Sequence, residues 1–105
     1  DSFHLACWSG EGLVACLVLK PVSAKQLRMR QFAVHADFQG RGIGRALALH
    51  AEAFAKEQGY REVILHAREA ALGFYEKMGY VVEGDRFIEV TIPHFNMRKR
   101  LFVNT

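Results

Sequence analysis

The stretch Asp37-Phe38-Gln39-Gly40-Arg41-Gly42-Ile43-Gly44-Arg45-Ala46-Leu47 joins the end of an apolar strand to the start of a helix, and its three glycines decide how the chain is read. Glycines at 40, 42 and 44 let successive N–H groups converge on one concavity with no Cβ in the way, and the helix N-terminus behind them adds partial positive charge. Such a turn suits phosphate. A dinucleotide fingerprint, G-x-G-x-x-G, needs glycine where Arg45 or Leu47 stands, and a P-loop needs Gly-Lys-Ser/Thr at its end. Neither is present. The spacing that does occur is Gln-x-x-Gly-x-Gly, at Gln39, Gly42 and Gly44.

Working outward, Lys25 to His35 reads as the strand before the loop, and a helix runs from about Gly42 to Gln58 with the apolar stripe Ile43, Leu47, Ala51, Phe54 and a stop at Gly59. Ser2 to Trp8 and Leu13 to Lys20 form a hairpin with Gly10 at the first central position of a type II′ turn. The second of these strands is almost wholly apolar, which predicts a central strand covered on both faces and ended by Pro21. Glu62 to Ala67 is a short buried strand centred on Val63-Ile64-Leu65, and Glu69 to Met78 is a helix with Ala71, Phe74, Tyr75 and Met78 on one face. Tyr80 to Glu83 and His94 to Phe102 are the last strands, separated by a loop over Gly84 to Pro93. The alternation predicts one domain over residues 1–105, α/β or α+β with a mixed sheet.

The strand before the glycine loop carries a further signal. Its apolar residues fall on odd positions, Leu27 and Met29, and then on even ones, Phe32 and Val34. If both halves bury one face, an extra residue sits near Arg30 or Gln31 as a β-bulge. A bulge there splays the strand from its neighbour and opens a slot in which a ligand's own amides can hydrogen-bond as another strand would.

Composition sets bounds. A chain of 105 residues that is 50% apolar makes one domain with a real core, burying roughly 60 to 70% of its unfolded surface. Pairing about Gly10-Glu11 puts Cys7 opposite Val14 and Cys16 opposite Leu5, so no disulfide is expected. The absence of a signal peptide and of a long apolar run makes a cytoplasmic location the expectation and a membrane partner not one. A formal charge of +3 gives slight support to an anionic ligand, while Arg98-Lys99-Arg100 reads as a solvated strand end rather than a nucleic-acid patch. His4, His35, His50 and His66 are scattered, and no H-E-x-x-H or C-x-x-C occurs, so no metal site is expected.

From Phe3 to Leu101 the sequence resembles the GNAT superfamily of N-acetyltransferases, most specifically at Phe32 to Gly44 and at Ala71-Leu72-Gly73-Phe74-Tyr75-Glu76-Lys77-Met78-Gly79-Tyr80. The resemblance implies a mixed, mostly antiparallel sheet with a splayed central strand flanked by helices, and acetyl-CoA as cosubstrate. It implies that the backbone from Phe32 through Ala33 to Val34 holds pantetheine and the acetyl carbonyl. Amides of Gln39, Gly40, Arg41, Gly42, Ile43, Gly44 and Arg45 then hold the pyrophosphate, Phe74 and Tyr75 face the thioester, and Tyr75 protonates the departing thiolate. Phe87-Ile88-Glu89 with Ile92-Pro93-His94 is similar to a subgroup motif F-x-E-x-G-I-P-H, except that Thr91 replaces the glycine. Glu89 and His94 are the candidate bases, with a bound water as an alternative relay. Arg68 stands where many relatives have asparagine, and is a candidate cofactor contact.

These roles are chemically coherent on their own terms. Attack of an amine on a thioester builds negative charge on the carbonyl oxygen and then on sulfur, which a backbone N–H and a phenol can stabilise in turn. The chain begins at what resembles the family's second strand. Two expectations follow: these residues belong to a longer enzyme, or a partner subunit in a homodimer completes the acceptor wall. The leading reading is an N-acetyltransferase acting directly on a primary amine, and the alternative is a noncatalytic acyl-CoA-binding or regulatory module. The residues do not choose among a polyamine, an antibiotic, an amino acid and a protein N-terminus.

Overall fold

The protein is described by a computed structural model over residues 1–10 and 12–101. The elements are β1 (Phe3–Ser9), β2 (Gly12–Pro21), β3 (Gln26–Val34), α1 (Ile43–Glu57), β4 (Glu62–Arg68), α2 (Leu72–Lys77), β5 (Val81–Glu89) and β6 (Ile92–Arg100). Six strands make one sheet in the order β1-β2-β3-β4-β6-β5. Every pairing is antiparallel except β3 with β4, which α1 connects as a crossover. The mixed α+β architecture expected from the sequence is the one observed.

One face of the sheet is built for a helix. Leu17, Leu19, Leu27, Met29, Val63 and Leu65 are buried at alternate strand positions, and Leu47, Ala48, Ala51 and Ala55 of α1 are buried in the same core. Three alanines on the buried side of α1 let its axis come close to the sheet. The opposite face carries Lys20, Arg28, His66 and Arg98, and there Cys16 and Val18 remain half-exposed. The expectation that β2 is covered on both faces is therefore met on one face only, among the described residues.

A buried ion pair clamps α1 to the far half of the sheet. Lys99 Nζ lies 2.7 Å from Glu52 Oε1 and donates to the Met78 carbonyl at 2.6 Å, while the Tyr80 hydroxyl donates to Glu52 Oε2 at 3.0 Å. Burial, with the Glu52 carboxylate beside it, pushes the Tyr80 phenol well above its usual pKa.

The bulge falls where the slip in alternation placed it. Cys16 pairs with Ala33 and Val18 with Arg30, so Gln31 and Phe32 together oppose Leu17 alone. Gln31 takes a φ of 51°, in the left-handed region. Beyond the bulge β3 turns away from β4: the two strands pair only over Gln26–Arg28 with Glu62–Ile64. A cavity of about 520 Å³ opens past that point, lined on one side by Phe32 and Val34 and on the other by Ala67, Arg68 and His94.

Three local readings are corrected. In the first hairpin Cys7 pairs with Ala15 and Cys16 with Ala6, one residue out from the expected register, because a bulge between Cys7 and Trp8 buries Val14 and Ala15 in succession. Both thiols are free, and Glu11 of the expected turn lies outside the described residues. The supposed loop over Gly84 to Pro93 is mostly strand: β5 continues to Glu89 through a bulge between Glu83 and Phe87, and β6 begins at Ile92. The expected last strand's Phe102 lies outside the described residues. The second helix is shorter than expected, a 3-10 turn over Glu69–Ala71 followed by the six residues of α2. No helix among the described residues is long and apolar enough to cross a membrane.

Candidate active site

The glycine loop is held in shape from behind. His35 Nδ1 accepts the Asp37 N–H at 3.1 Å, Ala36–Phe38 form one 3-10 turn, and the Gln39 side chain donates to the Val34 carbonyl at 3.1 Å. Gln39 therefore ties the loop to the end of β3, while its own N–H reaches the Ala36 carbonyl at 3.4 Å. The sequence assigned it only an amide. Gly40 and Gly42 have φ of 78° and 77°, a conformation costly for any side chain bearing a Cβ. The first bond of α1 runs from the Ala46 N–H to the Gly42 carbonyl at 3.0 Å, so the amides of Ile43, Gly44 and Arg45 precede the helical ladder and have no intrahelical acceptor.

Gly44 is glycine for a different reason. A Cβ there would lie 3.3 Å from Val34 Cγ2, 3.7 Å from Phe32 Cζ and 3.8 Å from Phe74 Cζ. The helix start is thus pressed against the splayed end of β3, and a cavity of about 640 Å³ runs from the loop to Phe74 and Tyr75. Its loop end presents unpaired amides and Arg45, and its inner end presents aromatic rings. Arg41 is drawn back over the Phe38 ring, 5.3 Å from its centroid. Ala33 lies beside the bulge and lines the neighbouring cavity along the β3 to β4 gap. A chain with a pyrophosphate at one end and an uncharged, amide-bearing arm at the other fits this gradient.

Tyr75 stands where the two cavities meet. Its ring packs among Phe32, Phe74 and Tyr80, at centroid separations of 6.5, 5.1 and 5.6 Å. Burial raises its phenol above the usual 10, so it carries its proton at neutral pH. Among the described residues its hydroxyl has no hydrogen-bond partner.

On the other side of the gap, Glu89 sits between two imidazoles. Its Oε2 lies 3.6 Å from His94 Nε2 and 3.7 Å from His66 Nδ1. His94 is buried, and its Nδ1 lies 2.8 Å from the Ile92 carbonyl. A carbonyl can only accept, so Nδ1 holds the proton and Nε2 keeps its lone pair in the neutral ring. Arg28 Nη1 donates to His66 Nε2 at 2.8 Å, which fixes the same tautomer on that ring, with the proton on Nδ1. Burial lowers the His66 pKa first, and the Arg28 guanidinium lowers it further. Phe87 stacks on His94 and meets His66 edge-on. Arg68 is opposite His94 in the ladder and lines the same cavity.

The structure therefore brings the glycine loop, Phe32, Val34, Phe74 and Tyr75 around one cavity and sets His94 across the adjoining one, with Glu89 beside His94. Sequence reasoning gave no role to His66 or Arg28, and it quoted Phe87 only as part of the subgroup motif. His66 had one available signal, its place in alternation with buried Leu65 and Ala67, which put it on the sheet's polar face. Among the described residues no cluster of His, Cys, Asp or Glu is arranged to hold a metal ion.

A family model described as an acetyltransferase (GNAT) domain matches residues 1–101. Among curated proteins, N-acetyltransferase 8F1 of Rattus norvegicus is 35% identical over 96 residues, covering 81% of this chain and 43% of its own length. N-acetyltransferase family 8 member 3 of the same organism is 36% identical over 98 residues, with 82% and 43% covered. The chain thus spans less than half the length of these relatives. Among solved structures, an acyl-CoA N-acyltransferase from Pseudomonas aeruginosa superposes with a TM-score of 0.84 at 28% identity, covering 94% of this chain and 68% of that one. An aminoglycoside 6'-N-acetyltransferase complexed with coenzyme A gives a TM-score of 0.88 over 100% of this chain and 76% of its own, and at 16% identity it speaks to the fold alone.

Proposed function

The chain belongs to the GNAT acetyltransferase family, and from that membership we propose that it binds acetyl-CoA and passes the acetyl group directly to a primary amine. The observation that carries this reading is the contact between Gly44 and the splayed end of β3, which sets free helix-start amides beside an open strand edge. Amides from Gly40 to Arg45 take the pyrophosphate, with Arg45 as a charged donor. The exposed backbone of Phe32, Ala33 and Val34 takes the pantetheine amides as a strand would, and one of its N–H groups meets the acetyl oxygen. Phe74 walls the thioester, and Arg68 contacts the cofactor from β4.

The acetyl thioester supplies the activated carbonyl; the chain supplies orientation and proton transfer. As the amine nitrogen bonds to carbon, the carbonyl oxygen gains charge and a fixed backbone N–H stabilises it. The carbon–sulfur bond then breaks, and the Tyr75 hydroxyl gives its proton to the thiolate. His94 Nε2, the unprotonated nitrogen, takes the amine's proton directly or through a water, and Glu89 at 3.6 Å stabilises the imidazolium. No acyl-enzyme is required. We further propose a homodimer and a cytoplasmic location.

Calorimetric titration with acetyl-CoA, followed by thiol release over an amine panel, tests the reading. Micromolar binding with amine-dependent release is expected. Binding without release on any amine leaves an acyl-CoA-binding module, and absence of binding removes the cofactor assignment.

A further inference from the structure

Next to the proposed transfer site lies a third, polar cavity of about 380 Å³ on the open face of the sheet. Its wall consists of Arg28, Met29, Arg30, Gln31, His66 and Glu89. Four of these, Met29, Arg30, Gln31 and His66, also line the gap between β3 and β4, so the two spaces adjoin along the bulged strand. An acceptor that presents its amine to Glu89 and His94 would place its remaining atoms here.

The charge of this wall is informative. It holds two guanidinium groups and one carboxylate. Arg28 is partly committed, donating to His66 at 2.8 Å. Arg30 is exposed, and its guanidinium makes no ion pair or hydrogen bond with another described residue. Glu89, the one carboxylate, lies beside the two imidazoles and serves the amine end. Two other carboxylates on this face, Glu62 and Glu83, are each bound to Arg98 at 2.9 Å. A polyamine or an aminoglycoside carries several cations and needs several free carboxylates. This wall offers the reverse, one acceptor for an amine and an uncommitted guanidinium close by.

We infer that the acceptor is a small amine carrying its own anionic group, a carboxylate or a phosphate a few bonds from the nitrogen, with Arg30 as the residue that selects it. The inference rests on the acetyl-transfer reading. A guanidinium binds either oxyanion through paired N–H donors, so the two share one recognition chemistry. The cavity's volume accommodates a free amino acid or a phosphorylated amino alcohol.

The test compares acceptors that differ only in the anion. Alanine is paired with alaninol, phenylalanine with phenylalaninol, and O-phosphoethanolamine with ethanolamine; spermidine stands for the polycations. Thiol release from acetyl-CoA is followed for each. The anionic member of at least one pair should exceed its neutral partner in kcat/KM by about 10-fold or more, and the pair that does so tells carboxylate from phosphate. Arg30→Gln should bring that ratio towards one, and Arg30→Lys should keep part of it, with circular dichroism confirming the fold. Ratios near one in all pairs, preference for spermidine, or a ratio indifferent to Arg30→Gln would overturn the inference. If no amine is turned over, calorimetry of the same pairs on the coenzyme A-loaded protein replaces the rate. Anion-dependent binding that Arg30→Gln removes would then support the anionic ligand while the transfer reading fails. Absence of such binding would reject both.

Discussion

Gly42 and Gly44 are two residues apart and disfavour a side chain for unrelated reasons, one by backbone angle and the other by neighbours. Gly42→Glu combines strain of about 1 to 2 kcal/mol in a left-handed position with a negative charge beside the proposed pyrophosphate. Acetyl-CoA affinity measured by calorimetry should fall about 10-fold or more; unchanged affinity in a folded variant would take the loop out of the cofactor site. Tyr75→Phe is the complementary case, because the ring supplies the packing and the hydroxyl has no hydrogen-bond partner among the described residues. Affinity for acetyl-CoA should stay within about twofold, while turnover falls roughly 100-fold, equivalent to about 3 kcal/mol of barrier. Single-turnover rates equal to the parent from pH 6 to 9 would assign the tyrosine to packing alone. The glycines and the tyrosine were legible in the sequence because each sits in a local pattern, a turn or a helix face. His66 and Arg28 were not, since their 2.8 Å contact is created by parallel pairing between strands 38 residues apart.

Among the elements, the β5–β6 hairpin is the one the sequence misrepresented, and the cause is its turn. Val90 and Thr91 have φ of 50° and 61°, the left-handed pair of a two-residue type I′ connection. Asn-Gly or Gly-Gly would have announced such a turn, whereas two β-branched residues read as something else, and the bulge at Gly84 further broke the alternation. The resemblance had already marked position 91 as a place where glycine is expected. Thr91→Gly should therefore stabilise the protein by about 1 kcal/mol, the relief of left-handed strain less the entropy of glycine in the unfolded chain. Urea denaturation reads this directly, and a lower midpoint at unchanged slope would show that Thr91 is comfortable as it stands. By contrast the bulge in β3 was visible beforehand, because a slip in alternation is written in the apolar residues themselves and needs no knowledge of the partner strand.

At the scale of the molecule, β1 and β5 are the two free edges of the sheet. Phe3, Leu5 and Cys7 of β1 turn inward and pack against the core, with Phe3 against Phe54 at 5.0 Å. The apolar surface left outside lies elsewhere: Trp8 is 69% exposed beside Leu13, and Val81, Ile88 and Val90 are exposed on or next to β5. A two-fold dimer that covers one of these edges is the expected state in solution, and light scattering showing a monomer at micromolar and higher concentrations would reject it. The short pairing of β3 with β4 has a mechanical meaning. Six strands joined by only three ladder positions at their middle form two leaves, β1-β2-β3 and β4-β6-β5, held by that narrow spine, by the core they share under α1 and by the Glu52–Lys99 clamp. Such leaves can open separately, so amide protons of β6 should exchange on a different free-energy scale from those of β2 in the free protein. Saturating acetyl-CoA, by stitching strand to strand across the gap, should draw the two scales together; exchange profiles that keep their spread when the ligand is bound would mean that the cofactor lies on the sheet without becoming part of it.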